Sequence, residues 1–391
     1  MSRVLTYLFG RLPIGWLQLS HSKARLVAAV AGVAFANLLV FMQLGILGAL
    51  NGSTVAPYAM LDADIILSSQ DSNTLTDGGN VARARMFQAL GVPGVATAAP
   101  LFIGTLPFSM ADGTSVSLLT FGMDTDRPSF TSPVIAAAMR DLEIENTALL
   151  DTATRGVPAS VLEDLLRGQP FAFEVNGRTM TAIGTLDVGG GFLADGTLVL
   201  SDQTFLRFFS KRNSGAPSHI LLKVEDNVPV GTVVERLRTV LPLGSVRVQS
   251  LADSAKADLA FMSTERPTGI IFGFGVLIGI IVGIVIVYQV LSTDVADHLR
   301  EYATFKAMGY GQSFFLGIVF EEAIVLAVFG FIPGLIVSFG LYAGLSAVTG
   351  LPVAMEASRA IFVFLGTLLA CTISGAIATR RLAGADPADL F

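Results

Sequence analysis

Residues 268–292 read TGIIFGFGVLIGIIVGIVIVYQVLS, 25 positions without one charge. Hydrocarbon offers no water to an exposed peptide group, so a run like this is driven into a helix that bonds its own backbone. About 20 residues suffice to cross a bilayer. Three further runs have the same character. Leu26–Leu50 is interrupted by Asn37 and Gln43. Phe314–Val348 carries Glu321 and Glu322 near its start and Pro333 in its middle. Ala360–Thr379 is the last. The third run is too long for one upright crossing at 1.5 Å per residue. It has no polar turn for a hairpin either, so it is expected to form one tilted or Pro-kinked helix. Four spans put both termini on one side. The first run is too long for a signal-peptide core, and no small-x-small site follows it, so it reads as a retained anchor.

Lys and Arg near span ends set orientation. Arg3, Arg11, Lys23, Arg25, Arg300, Lys306, Arg380 and Arg381 all fall on one side of a four-span scheme. With Asp294, Asp297, Glu301, Asp386 and Asp389 that side nets +3, whereas residues 51–267 net −7. Both termini are therefore expected in the cytoplasm of a plasma (inner) membrane, with 51–267 outside. The charged fraction of the whole chain is 14%, against roughly 25% for an average soluble domain. This excludes an ordinary cytosolic enzyme and a nucleic-acid-binding chain.

The expected fold is thus four membrane helices plus an extracytoplasmic α+β domain with a β-rich insertion. The partition is 1–25, an interfacial amphipathic helix; 26–50, the first span; 51–267, the outer domain; 268–292, the second span; 293–313, a cytoplasmic loop and helix; 314–348, the third span; 349–359, a short outer loop; 360–379, the fourth span; and 380–391, a tail. Within the outer domain, Ala63–Ser69, Val81–Leu90 and Gly94–Phe102 read as β-α-β. His219–Val224, Val230–Val240 and Ser245–Gln249 read as a second such unit. Together, 51–103 and 218–267 suggest one split core. The insertion, 104–217, has short strands between the turn signals Asp112-Gly113, Asn176-Gly177, Gly189-Gly190-Gly191 and Asp195-Gly196. A helix at Leu251–Glu265 leads into the second span.

Chemistry-bearing motifs are missing. Nothing matches the Walker A pattern, and His21, His219 and His298 lack metal-ligand spacing. Cys371, the single cysteine, lies inside the fourth span, so no disulfide framework exists. No catalytic, cofactor or metal residue is expected. Charges inside a membrane are functional candidates. Glu321 and Glu322 either stay hydrated at the cytosolic interface or anchor the cytoplasmic helix or a neighbouring span. Asn37 and Gln43 can hydrogen-bond across helices, with packing favoured over lining a path. Gly275, Gly279 and Gly283 give small-xxx-small spacing for close helix contact, including contact with a second copy. In the 293–313 loop, Leu299, Tyr302, Phe305 and Met308 form one stripe of a short helix ended by Gly309.

The order of these features resembles the FtsX/MacB-type permeases of ABC systems, now grouped as type VII. Residues 300–309, REYATFKAMG, are similar to that family's cytoplasmic R-E-[IYF]-x-x-[LF]-[RK]-A-[LM]-G motif. Glu322-Ala323 matches its Glu-Ala in the third span, and Arg380–Leu390 its closing basic stretch and D-P-x-[ED]-[AL]. The opening resembles the DevC-type permeases of cyanobacteria, through Pro13–Leu19, Lys23–Leu26, Ala34-Phe35-Ala36 and Phe41–Gly45.

The resemblance implies a MacB-like periplasmic core and a homodimer. It also implies a separate ABC ATPase subunit (DevA-like) that binds ATP-Mg, a DevB-like membrane-fusion adaptor and a TolC-like outer-membrane channel. The cargo it implies is a glycolipid or other amphiphile, moved by mechanotransmission rather than through a pore. Leu299, Tyr302, Phe305 and Met308 would dock on the ATPase, Arg300, Glu301 and Lys306 would orient the contact, and Glu322 would anchor the third span. Lipoprotein-releasing or cell-wall-hydrolase-regulating permeases of the same superfamily, and a non-transport sensor, are the competing readings. A membrane-embedded enzyme is disfavoured.

Overall fold

The computed structural model describes residues 14–109, 115–189, 191–192, 194–351 and 353–378. The chain divides into two compact units. A helical unit is drawn from Met1–Gly48, Ile271–Leu345 and Val353–Phe391, and a sheet unit from Ala49–Ile270 with Ser346–Pro352. Expectations for 1–13, for the Asp112-Gly113 turn and for 379–391 lie outside the described residues.

In chain order the helices are α1 (Ile14–His21), α2 (Lys23–Val55), α3 (Ala84–Leu90), α4 (Pro133–Leu142), α5 (Ala159–Leu166), α6 (Asp202–Phe208), α7 (Val230–Val240), α8 (Leu251–Thr264), α9 (Pro267–Asp297), α10 (Leu299–Ala307), α11 (Gln312–Thr349) and α12 (Ala357–Ala378). Four stretches, Lys23–Met60, Pro267–Asp297, Ser313–Thr349 and Ala357–Ala378, are long and apolar enough to cross a membrane. Helix α11 continues through Pro333 as one element. Ser338 Oγ donates to the Gly334 carbonyl at 2.7 Å, one turn beyond that proline.

The strands are β1 (Ile65–Ser69), β2 (Val95–Ser109), β3 (Ser115–Met123), β4 (Thr147–Asp151), β5 (Phe171–Val175), β6 (Arg178–Leu186), β7 (Gly196–Ser201), β8 (His219–Val224) and β9 (Val246–Ser250). They form one nine-stranded sheet in the order β3-β7-β4-β6-β5-β2-β8-β1-β9, with β3 also paired to β2. The β2-β8-β1-β9 half has antiparallel neighbours throughout, with α3 following β1 and α7 following β8. This is the split β-α-β arrangement. Ile65 and Leu67 pack under Met86, Val233 and Leu237 on one face, and Ile66 joins Leu101 and Phe121 on the other. Alternation along a strand sends neighbours to opposite faces, so both faces of this half carry cores.

The split core and the insertion are joined in one sheet. β2 is 15 residues long and runs from the core into the insertion, pairing β8 through Val95–Leu101 and β3 through Leu101–Ser109. The two parts therefore share one sheet. The insertion is also less purely β than its turn signals suggest, because α4, α5 and α6 lie inside it. Where the turn chemistry is explicit, it is followed. Asn176 and Gly177 take φ of 51° and 73° between the paired residues Val175 and Arg178, the conformation a two-residue hairpin requires.

Buried polar groups in the sheet unit are tied to backbone. His219 is buried, with Nδ1 2.9 Å from Ser68 Oγ and Nε2 2.8 Å from the Leu75 carbonyl. A neutral ring protonated on Nε2 satisfies both contacts, donating to Leu75 and accepting from Ser68. Leu75 N–H in turn donates to Asp258 Oδ2 at 2.7 Å, and Tyr58 OH donates to the same oxygen at 2.7 Å. Burial pulls the His219 imidazole from 6.5 down to about 4, with Arg247 and Arg212 adding repulsion. Burial pushes the carboxyls of Asp151 and Asp258 upward.

A histidine with a depressed folded pKa must be charged on unfolding in acid. Its contribution is therefore complete above about 6.5 and is lost as pH falls to about 4. The raised carboxyls act in the opposite sense, because acid favours their folded form. We predict that amide protection of β1 and β8 in the full chain weakens over that interval, by up to roughly 3 kcal/mol at about 1.4 kcal/mol per pH unit. His219→Gln should remove the interval. Equal pH dependence in both proteins would contradict the assignment.

Candidate functional site

The candidate site lies at the end of the helical unit that holds α1, the α9–α10 connection and the start of α11. Helix α10 ends at Gly309, whose φ of 94° supplies the left-handed residue that stops a helix. Phe305, Tyr310 and Phe314 then close on one another. Ring centroids are 5.7 Å apart for Phe305–Tyr310 and Phe305–Phe314, and 4.5 Å for Tyr310–Phe314. Phe305 is half-buried against a cluster of Val295, Phe315, Ile318 and Val319. Met308 and Tyr310 remain exposed, at 61% and 46%.

The expected stripe is therefore divided. Phe305 faces the protein's own helices and Met308 faces outward. The side chains of Leu299, Arg300 and Tyr302 lie outside the described residues. Glu301 is exposed and accepts from Gln18 Nε2 on α1 at 3.1 Å, and Lys306 is half-buried.

Glu321 and Glu322 are both buried within this chain. Glu321 Oε1 accepts from the Trp16 backbone N–H at 3.2 Å, and the Trp16 ring stacks on Phe329 at 5.7 Å. Glu321 thus contacts α1 beside Glu322, the residue for which the sequence suggests an anchoring role. Glu322 packs against Gly15 and faces the Asp294 carboxyl on α9. A side chain at position 15 would collide with the Glu322 stem and the Ile318 carbonyl, each 2.9 Å from an added Cβ. Asp294 is buried, and Arg25 on α2 approaches it at 3.7 Å while pairing with Asp297 at 2.8 Å. The sequence names Arg25 and Asp294 only as topogenic charges. Their contact joins residues 269 positions apart, with no local signal to reveal it.

The glycines of α9 meet α2 of the same chain. A Cβ on Gly275 would lie 2.5 Å from Gln43 Cδ. On Gly279 it would lie 3.1 Å from Val40, and on Gly283 3.3 Å from Ala36. The seam expected to serve contact between copies is filled from within, because small residues let two backbones approach closely. Asn37 is buried and accepts from Thr367 Oγ1 on α12 at 2.5 Å, and Gln43 lies on the glycine seam, so both act in packing. Among the described residues, no group of His, Cys, Asp or Glu is arranged to hold a metal ion.

Residues 273–387 match the family described as FtsX-like permease C-terminal. Curated protein sequences yield no match to the chain. Among solved structures, the periplasmic region of MacB from Actinobacillus actinomycetemcomitans is similar at 12% identity and a TM-score of 0.34, covering 51% of this chain and 93% of that one. The extracellular domain of the noncanonic ABC-type transporter YknZ from Gram-positive bacteria is similar at 10% identity and a TM-score of 0.32, covering 48% and 98%.

Gly275→Val would drive two methyl groups into Gln43. Overpacking of this kind costs about 1–3 kcal/mol. We predict a lowered unfolding midpoint in detergent, with Gly273→Val as the control, since a Cβ there meets nothing within 4 Å. Equal effects of the two would contradict the seam. The segment similar to the FtsX-like permease C-terminal family, residues 273–387, takes in the 300–309 motif, Glu322-Ala323 and Arg380-Arg381.

Proposed function

We propose that the chain is the membrane-spanning subunit of an ABC exporter, driven by an ATPase on a separate subunit and moving cargo by displacement of its sheet unit. The observation that carries this is the α10 turn. It is pinned to α11 through Phe305, Tyr310 and Phe314, presents Met308 outward, and lies within the segment that matches the permease family. A lever needs these two properties together: a firm root in the span and a free apolar tip. Binding energy at interfaces concentrates in a few such exposed anchors surrounded by polar groups. Glu301 and Lys306 supply the polar groups.

Support for mechanotransmission over a conduit comes from the bundle's polar residues. Asn37 pairs with Thr367, Ser374 Oγ donates to the Ile284 carbonyl at 3.2 Å, and Tyr342 OH donates to the Phe41 carbonyl. These three links tie helix to helix, as a packed bundle that moves as a body requires. Helix α9 also exposes Ile271, Phe274, Leu277, Ile278 and Ile281, a ridge suited to lipid or to a second copy of the chain.

On the DevC-type resemblance, the assembly is a homodimer in the inner membrane with both termini in the cytoplasm. Its partners are a DevA-like ATPase, a DevB-like adaptor and a TolC-like channel, and its cargo is a glycolipid or another amphiphile.

The test is Met308→Asp together with Tyr310→Ala in the permease–ATPase complex reconstituted in lipid. Loss of an interface anchor costs about 2 kcal/mol or more, so binding and stimulation of the ATPase should fall by about 30-fold. Insertion should be unchanged, and melting should fall less than in Phe305→Ala, since Tyr310 packs on Phe305 and Phe314 from an exposed position. Phe305→Ala should instead lower stability, because that ring belongs to the internal cluster. Full ATPase stimulation by the Met308/Tyr310 variant would overturn the proposal.

A further inference from the structure

Arg155 sits just past the end of β4, and its guanidinium gathers three backbone carbonyls. Nη2 donates to Gly191 O at 2.6 Å and to Ala194 O at 2.8 Å, and Nη1 donates to Thr349 O at 3.0 Å. Asp195 Oδ1 lies 3.4 Å from Nη2. The backbone on both sides of this grip is itself held. Arg155 N–H donates to Asp195 O at 2.8 Å, and Asp195 N–H donates to Ser117 O at 2.7 Å. Asp195 Oδ2 accepts from Ser117 N–H at 2.9 Å.

Thr349 is the last residue of α11, the longest apolar helix of the chain. The final carbonyls of a helix have no partner in the helix and carry its negative pole. A guanidinium is well matched to that position. It has five donors in a rigid plane and can hold several carbonyls at once, which an ammonium group on a flexible stem cannot do with the same geometry. The next residue, Gly350, is fixed by two separate requirements. Its φ is 64°, and an added Cβ would lie 2.5 Å from Arg155 Cγ and 2.6 Å from Cδ. Its N–H returns to Ser346 O at 2.8 Å. In agreement, Ser346–Pro352 group with the sheet unit, although most of α11 groups with the helices.

We infer that Arg155 is a coupling residue: its guanidinium fastens the end of the third span to the 191–195 loop of the sheet unit, so that displacement of that span is passed to the sheet unit through this clamp. The inference rests on the function proposed above. It adds the place where motion leaves the helix.

Hydrogen–deuterium exchange on the full chain in lipid nanodiscs tests it, first alone and then with the ATPase subunit. In Arg155→Ala, exchange of 346–351 and of 191–195 should rise roughly tenfold, the weight of one charge-assisted hydrogen bond, while β1 and β8 keep their protection. Arg155→Lys should restore protection in part. Gly350→Ala, which attacks the clamp from the other side, should loosen the same two segments. In the complex, adding ATP with vanadate should change exchange across 191–201 in the unaltered chain, and that response should vanish in Arg155→Ala while hydrolysis continues. A response that persists in Arg155→Ala overturns the inference, as does unchanged protection of both segments in the chain alone. Failure of the functional reading is read separately, as an unaltered chain that neither binds nor stimulates an ATPase.

Discussion

Apolar helices in a bilayer gain no hydrophobic energy from one another, because lipid tails are as apolar as leucine. Their association must come from close backbone packing and from hydrogen bonds between spans. The helical unit is organised around that constraint. Gly275, Gly279 and Gly283 bring α9 against Gln43, Val40 and Ala36 of α2, and Gly330 and Gly334 of α11 meet Val33, Ala34 and Asn37 on the same helix. Asn37 then reaches Thr367 on α12. Helix α2 is thus the element on which the other three assemble. Small residues set the approach, and the few buried polar groups fix which faces meet.

The sheet unit solves a different problem. It has no disulfide and relies on apolar cores on both faces of one continuous sheet. Its internal polar links run both between paired strands, as from Ser68 to His219, and to loop backbone, as from His219 to Leu75. The Leu75 backbone is held on both sides, its N–H donating to Asp258 and its carbonyl accepting from His219. Ser201 and Ser250 cap α6 and α8 by accepting from Thr204 N–H and Asp253 N–H. In the proposed account, this unit is the moving part and the helical unit is the drive.

Much of this was legible in the sequence because the relevant signals are local. A charge-free run of 25 residues leaves a backbone in lipid no alternative to a helix, and Asn176-Gly177 specifies its own hairpin. The helix α10, ended by Gly309, follows from spacing of the same kind. What escaped is non-local. Nothing near Gly275 reveals whether its small face meets a second copy or Gln43 of the same chain. The adjacent pair Glu321 and Glu322 divides its roles according to which neighbour each one faces, Trp16 on α1 or Asp294 on α9. Arg155 reads as one surface arginine among many until Thr349, Gly191 and Ala194 are brought round it. The shared sheet was hidden for the same reason, since strand pairing between 101–109 and 115–123 is indifferent to a boundary drawn on turn composition.

The central claim is that nucleotide binding on a partner subunit displaces the sheet unit through the spans, with no cargo passing between them. Pulsed electron-spin distance measurement tests it most directly, with one label on the exposed Arg238 face of α7 in each copy of the assembled exporter. Trapping the ATPase closed should shift the distance distribution between the two sheet units by several ångströms relative to the nucleotide-free state. Distributions that coincide in the two states while export proceeds would contradict the account.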